Sequence, residues 1–391
     1  MKKIGIYLDF EPSGGGSYQY AASLLGALVG GCGTNAQIVA FYTNREWLRH
    51  LDAFGIRGVF IHKAFFWRAG WWFWRRLGLS VPLWRRVNQW LNPWARAILS
   101  ERCDLCFFPT QNLDAVQLPI PSLVSVHDLM HRYESGFPEV GEAKEYRNRE
   151  YLYSMICRFS SGVLVDSEVG KRQLIESYGV RPEKVHVLPF TVPNYLLKRE
   201  IVAKSRLPFV LPERYIFYPA QFWSHKNHLG LLRALKSCVN QGILVNLVFC
   251  GTPKNASAGV LEFIKSNQLQ ERVTFLEYVS DEFMASLYHY SNGLVYPSFF
   301  GPTNIPPLEA IWMGKPLAIS GVYGMKEQCG ELPIYFDPSN VAELEGALKS
   351  LWDGRILGGS PGQVEEMLAR IEPAAFRNRL KKVVASLDAG G

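Results

Sequence analysis

The 391-residue chain contains no uncharged apolar stretch of about 18 residues, so no membrane-spanning helix is expected of it. It has no second Cys-x-x-C pair to complete a zinc site around Cys103 and Cys106. Those two enter the apolar run 105–108 rather than opening a helix, so they read as core thiols. The seven cysteines, at 32, 103, 106, 157, 238, 250 and 329, are an odd and scattered set, which argues for reduced thiols in a cytoplasmic setting. A secretory leader is not expected, because residues 1–9 form a short strand-like run that ends in Asp9 and leads into glycines. The stretch Glu11-Pro-Ser-Gly-Gly-Gly-Ser17 lacks the Lys-Ser/Thr of a triphosphate loop and the spaced glycines of a dinucleotide fingerprint. Acidic residues are missing altogether between Asp52 and Glu101. In that gap Arg57, Lys63, Arg68, Arg75, Arg76, Arg85, Arg86 and Arg96 account for the whole net charge of +7.

What is present describes a folded protein: 48% of residues are hydrophobic and 20% charged, and the length calls for two domains rather than one. Short apolar runs alternate with amphipathic stretches, at 3–8, 37–42, 105–108, 122–126, 161–165 and 184–188. The pattern breaks at 189–212 and restarts with runs at 215–219, 244–250, 272–276, 293–296, 316–319 and 334–336. This is the signature of parallel, doubly wound sheets, so the fold class is α/β, with two Rossmann-like domains facing across a cleft. The expected boundaries are 1–190 for the first domain, 191–212 for a linker, and 213–370 for the second. A helix within 371–391, with Phe376, Leu380 and Val383 or Val384 on one face, is expected to pack back toward the first domain.

Four stretches place polar groups where such sheets bind ligands, just beyond the strand ends. After the run at 293–296, Pro306 and Pro307 suit a helix opening and set Glu309 on its first turn. That carboxylate either accepts hydrogen bonds from a diol such as a ribose, or caps its own helix. His127 and Asp128 follow the run at 122–126; the histidine either donates to a substrate hydroxyl or is satisfied by backbone groups. Lys226 and Asn227 lie between a strand and a helix, the ammonium suited to a diphosphate and the amide to an N-cap, although an exposed loop lysine has the same local pattern. His225 and His228 have no third ligand nearby in sequence, so no metal site is expected there. Gly14, Gly15 and Gly16 allow close backbone approach to an anion or sugar, or form a flexible turn.

Together these pieces resemble the family 4 glycosyltransferases with the GT-B fold, over most of the chain and most weakly from about 45 to 100. The motifs that carry the resemblance are Gly14–Gly16, His127-Asp128, Val165-Asp-Ser-Glu168 with Tyr178-Gly-Val180, Lys226-Asn227, Val279-Ser-Asp-Glu282 and Pro306-Pro-Leu-Glu-Ala310. The resemblance implies a C-terminal domain holding a nucleotide sugar, an N-terminal domain holding the acceptor, and transfer with retention of anomeric configuration. It implies Glu309 on the ribose hydroxyls, Lys226 on the diphosphate, Gly15 and Gly16 in backbone contact with the donor, and His127 near the reacting carbon. The implied front-face mechanism uses the departing phosphate oxygen as the base, so no pair of catalytic carboxylates is required. No cofactor or metal is implied beyond the nucleotide sugar as co-substrate, with a GDP sugar favoured.

Two positions depart from the family pattern. Its acidic pair has one Glu eight residues before the other, and that earlier position is Gly301; its frequent arginine five residues before the lysine is Gln221. Gly-Pro-Thr-Asn-Ile-Pro-Pro and Pro-Ala-Gln-Phe-Trp are similar to a bacterial branch of O-antigen and exopolysaccharide mannosyl- or rhamnosyltransferases. The departures then look like a coordinated replacement, in which backbone N–H groups with Thr303 or Asn304, in the loop that runs to Ile305, meet the donor hydroxyls. A lipid-linked saccharide is the implied acceptor. A non-catalytic, membrane-associated nucleotide- or glycan-binding scaffold derived from this fold is the alternative.

Seven of the eleven tryptophans fall within the acid-free window, at 67, 71, 72, 74, 84, 90 and 94. Tryptophan favours the lipid headgroup region and arginine is drawn to anionic lipid. Trp67, Trp71, Trp72, Trp74, Arg75, Arg76, Arg85 and Arg86 are therefore expected to form a face against an anionic membrane, placing the protein peripherally on the inner side of the plasma membrane. A helical layer packed on the sheet is the competing reading; a nucleic-acid patch is a third, and nucleic acid is not an expected partner.

Overall fold

The computed structural model describes residues 2–12, 15–31, 36–354 and 358–389; Gly14, Cys32 and the Arg68 side chain, named above, lie outside the described residues. Among the described residues, thirteen short strands form two sheets. The first holds β1 (Lys3–Leu8), β2 (Gln37–Tyr42), β3 (Arg57–Phe60), β4 (Leu105–Phe108), β5 (Ser122–Ser125), β6 (Gly162–Val165) and β7 (Val185–Val187), in the order β3-β2-β1-β4-β5-β6-β7. The second holds β8 (Ile216–Pro219), β9 (Leu247–Cys250), β10 (Val273–Leu276), β11 (Gly293–Tyr296), β12 (Leu317–Ser320) and β13 (Ile334–Phe336), in the order β10-β9-β8-β11-β12-β13. All neighbours are parallel. Leu-Cys-Phe-Phe, Gly-Val-Leu-Val and Leu-Val-Phe-Cys are buried on both faces, as a parallel sheet covered by helices requires. The strand order reverses between β1 and β4 in one sheet and between β8 and β11 in the other, and open parallel sheets commonly bind ligands at such switch points.

The chain divides into two compact units. One comprises 1–129, 147–189 and 373–391; the other comprises 130–146 and 190–372. Segment 130–146, expected with the first domain, thus groups with the second. There Met130, Val140 and Phe300 form a small apolar cluster with Phe137 and Tyr323. The stretch 191–212 is fastened rather than loose. Trp312 donates to the Leu196 carbonyl at 3.0 Å and Val202 N–H to Ser286 Oγ at 2.9 Å. The final helix, Pro373–Ala389, belongs to the first unit and packs on helix Gly16–Val29, burying Phe376, Leu380, Val383 and Val384. The six described cysteines are all buried and free. Burial pushes the Cys103 thiol up to about 11 and Cys106 well above its usual range, as inert core thiols require.

The acid-free window folds into β3 and three helices, Phe65–Arg76, Val81–Leu91 and Pro93–Leu99. It does not form the single face expected. Trp71, Trp84 and Trp94 are buried in the core of the first unit, and half-buried Trp67 and Trp74 pack on the Trp84 ring at 6.4 and 5.1 Å. Arg85 also points inward, donating to the carbonyls of Val116 at 2.9 Å and Phe159 at 3.1 Å. The physical reason is helical period: 67, 71 and 74 share one side of their helix, whereas 72 and 76 share the opposite side. Trp72, Arg75, Arg76 and Arg86 are exposed, with the Arg75 guanidinium 3.5 Å over the Tyr151 ring. No helix among the described residues is long and apolar enough to cross a membrane.

Candidate functional site

The second sheet supplies a defined site at its switch point. Beyond β8 the chain makes a tight turn over Ser224–Lys226, and Asn227 adopts φ +57° to start helix His228–Asn240. Asn227 Oδ1 accepts from Gly230 N–H at 3.2 Å and its Nδ2 donates to the Pro338 carbonyl at 2.8 Å, so this residue is the expected N-cap. The Lys226 ammonium donates to the Tyr296 hydroxyl and to Asn304 Oδ1, both at 3.1 Å. Tyr296 donates to the same Asn304 oxygen at 3.1 Å. Asn304 is in turn paired with Gln328, whose Oε1 accepts from the Asn304 N–H at 3.0 Å and whose Nε2 donates to its carbonyl at 2.8 Å. Asn304 Oδ1 thus accepts from both Lys226 and Tyr296, and its Nδ2 donates to the Met325 sulfur at 3.4 Å, so this side chain aims the Lys226 ammonium.

Gly301 has a conformational reason for being glycine. Its φ is +130°, and a Cβ there would stand 2.6 Å from Asn304 Nδ2 and 2.9 Å from Oδ1. A side chain at 301 and the present position of Asn304 exclude one another, so restoring the family's carboxylate in Gly301→Glu is expected to lose stability. We expect about 1–3 kcal/mol in denaturant unfolding, together with weaker donor binding as Lys226 loses its support. The same substitution with Asn304→Gly is expected to recover part of the stability. Thr303 and Ile305 are buried in this loop, and Gln221 is exposed with its Oε1 accepting from Trp223 at 3.0 Å. Helix Ile305–Trp312 opens with prolines at its second and third positions, leaving Ile305 and Leu308 as N–H donors of the first turn.

Glu309 lies one residue deeper than the expected first turn, and it does not cap its helix. Its side chain is buried, with the residue 4% exposed, and its oxygens accept from the hydroxyls of Tyr195 at 2.6 Å and of Tyr288. Burial pushes the carboxyl up to about 7, against the pull of those two hydroxyls. Each carboxylate oxygen offers two acceptor positions, so with one tyrosine apiece a further position per oxygen suits the adjacent hydroxyls of a diol.

A second carboxylate holds the Lys226 loop in place. Glu139, on the short helix Pro138–Gly141, accepts from His225 N–H at 3.0 Å, from His225 Nδ1 at 2.5 Å and from Asn255 Nδ2 at 2.8 Å. The His225 carbonyl accepts from Phe299 N–H at 2.8 Å, so one residue ties the Lys226 loop to the loop that leads into Gly301. Burial pushes the Glu139 carboxyl up, but the bonds from His225 and Asn255 outweigh it and hold it down at about 2. A depressed carboxyl contributes stability that is fully present above its free value of 4.5 and lost as pH falls through about 2. Glu139→Gln is therefore expected to unfold more easily at neutral pH, by about 1–3 kcal/mol, and to lose less further stability than the wild type between pH 4.5 and 2. Acid titration of the two proteins by circular dichroism measures this. His228 has a different environment: it stacks on Phe222 at 4.1 Å, and burial pushes its imidazole down to about 3, which leaves a neutral packing ring.

The remaining expected residues belong to the first unit. Gly15, at φ +82°, is the N-cap of helix Gly16–Val29, and its carbonyl accepts from Gln19 N–H at 3.1 Å. His127 donates through Nε2 to the Pro109 carbonyl at 2.8 Å, packs edge-on against Tyr20 at 4.8 Å, and has its imidazole pushed down by burial. Asp128 pairs with Arg149 at 3.2 Å. The β1/β4 crevice holds a polar group that sequence reasoning missed: Lys63 bridges Asp9 at 2.5 Å and Asp114, and Asn112 donates to Asp9 at 3.3 Å. Tyr195, Tyr288 and Glu139 were missed as well. Of these only Asp9 carried a local signal, as a polar residue ending an apolar strand.

Comparison with known proteins agrees with this architecture. A family model described as Glycosyltransferase Family 4 matches residues 15–193, and one described as Glycosyl transferases group 1 matches residues 202–370. The chain is 25% identical to the O-antigen chain mannosyltransferase RfbU of Salmonella typhimurium over 228 residues, which make up 58% of this chain and 60% of that protein. It is 28% identical to O-antigen chain mannosyltransferase B of Escherichia coli over 141 residues, 36% of this chain and 37% of the other. The chain thus spans less than two thirds of either relative. Sucrose-phosphate synthase from Thermosynechococcus elongatus superposes over the full length of both chains with a TM-score of 0.75 at 16% identity. The Anabaena HepE protein in complex with UDP-glucose does so over 99% of this chain and 100% of its own, at 0.71 and 16%. Such identities speak for the fold, and the two family matches together cover nearly the whole chain. With its two parallel Rossmann-like sheets, the chain belongs to the family 4 glycosyltransferases of the GT-B fold.

Proposed function

We propose that this chain transfers a mannosyl unit, with retention of configuration, from GDP-mannose to a lipid-linked glycan in bacterial surface polysaccharide synthesis. The observation that carries the reading is the Lys226 ammonium, fixed by Tyr296 and Asn304 at the β8/β11 switch point. A cation held there without further rearrangement stabilises the charge that builds on a departing diphosphate. Glu309 receives the ribose hydroxyls, and the N–H groups opening helix Ile305–Trp312 take part of the negative charge. The acceptor hydroxyl attacks the sugar carbon as the bond to the phosphate oxygen breaks, and that oxygen takes the hydroxyl proton. The first unit, with Gly15, Gly16 and His127, serves the acceptor and the sugar. The choice of mannose is supported by the relatives named as mannosyltransferases. A nucleotide sugar as donor is supported by the Anabaena protein solved with UDP-glucose.

The test is nucleotide release by the purified protein across GDP-, UDP- and dTDP-sugars. Release from GDP-mannose supports the full reading; release from a UDP sugar alone removes the mannosyl assignment and leaves the transfer. Gly301 and Gln221 favour one competing reading, a non-catalytic binding scaffold, and donor binding with no release from any sugar would establish it.

A further inference from the structure

Helix Phe65–Arg76 is apolar on both sides, and the chain covers only one of them. Trp67, Trp71 and Trp74 face the Trp84 ring and the core of the first unit. Roughly opposite, Phe65 is 81% exposed, with Trp72 and Phe73 also exposed. The turn that follows presents Leu77 at 71% exposure, and the next helix, Val81–Leu91, repeats the arrangement. Its Val81, Trp84 and Asn88 are buried, and its other side carries exposed Leu83 and Trp90, the latter at 74%. An exposed patch of this kind marks an interaction surface.

Charge identifies what covers it. Arg76 and Arg86 are exposed on these same outer sides, the Arg76 guanidinium standing 5.2 Å from the Trp72 ring centroid. No Asp or Glu occurs between Asp52 and Glu101 to answer them. Aromatic rings interleaved with arginine, on two helices joined by an apolar turn, match the chemistry of a lipid headgroup layer carrying negative charge. We infer that the outer sides of helices Phe65–Arg76 and Val81–Leu91, with the turn at Leu77, form a surface that inserts into an anionic phospholipid bilayer. Arg76 and Arg86 meet the lipid phosphates, and Phe65, Trp72, Phe73 and Trp90 enter the headgroup region. The buried tryptophans of the same window take no part. The inference rests on this surface alone and holds whether or not the acceptor is lipid-linked.

Flotation of the full chain with vesicles tests it, using pure phosphatidylcholine and an equal mixture of phosphatidylcholine and phosphatidylglycerol. The wild type is expected to float with the anionic vesicles and much less with the neutral ones. Trp72→Ser with Trp90→Ser is expected to lower the partition coefficient roughly tenfold or more on anionic vesicles. Arg76→Gln with Arg86→Gln is expected to lower it about 25-fold on anionic vesicles and to leave the neutral ones unaffected, since each charge contributes about fivefold. All four side chains are on the surface, so unchanged thermal unfolding verifies that the variants are folded. Equal recovery of the wild type with both vesicle types, or unaltered partition of both variants, overturns the inference. So does sedimentation showing a dimer that dissociates in the tryptophan variant, because the patch then belongs to a second copy. Flotation reads no turnover, so its failure and a failure of the transferase reading are told apart.

Discussion

Glu309→Gln is expected to lower kcat/KM for the nucleotide sugar by roughly 30- to 1000-fold, with the fold retained. The figure follows if Glu309 makes the two charge-assisted ribose hydrogen bonds proposed for it, about 2–4 kcal/mol together. Glutamine fills the same volume and still offers an oxygen to Tyr195 or Tyr288, so the buried hydroxyls are not both stranded. The wild type carries a pH signature that the variant lacks. Only the ionised carboxylate accepts at both oxygens, and burial places its titration at about 7. Donor affinity is therefore expected to rise as pH increases through about 7 in the wild type and to stay flat in Glu309→Gln. Folding stability moves the opposite way. A raised carboxyl favours the protonated folded state, so its contribution is fully present below the free value of 4.5 and lost as pH rises through about 7. Tyr195→Phe removes one hydrogen bond to the carboxylate and is expected to move the affinity rise to higher pH. Isothermal titration with the donor at several pH values measures all three.

Lys226→Ala is expected to reduce kcat by about 100- to 1000-fold, the range seen when a preorganised charge stabiliser is removed from a reacting centre. The effect falls on kcat more than on KM, because charge on the departing phosphate oxygen grows as the bond breaks. Asn304→Ala leaves the ammonium in place but removes the oxygen that Lys226 and Tyr296 share. It is expected to show a smaller loss of the same kind, about tenfold, and to add little to Lys226→Ala in the double variant. Steady-state kinetics of the four proteins separates a positioning role for Asn304 from direct donor contact, which would instead raise KM.

Much of this architecture was legible because parallel strands are buried on both faces and read as uninterrupted apolar runs, as in Leu105–Phe108 and Gly293–Tyr296. The polar residues just beyond those runs, His127, Lys226 and Glu309, stood out for the same reason. The strand Arg57–Phe60 was hidden by charge and glycine within a window that reads as surface. The helices around it carry apolar residues on two sides, so periodicity alone did not separate the inward tryptophans from the outward ones. Partners distant in sequence left no local trace. Glu139 meets His225 across 86 positions and Tyr195 meets Glu309 across 114, and neither spacing belongs to any motif. Gly301 stood out only as a departure from the family's carboxylate, and its φ of +130° and the proximity of Asn304 show the glycine as a steric requirement.

The most direct test is the product formed from α-configured GDP-mannose and a lipid-linked saccharide, read by proton NMR of its new anomeric centre. GDP release coupled to an α-linked mannosyl product is expected, slowed in Glu309→Gln and Lys226→Ala at matched enzyme concentration by the factors given above. A β-linked product, or no release from any nucleotide sugar that the protein binds, would contradict the proposed function.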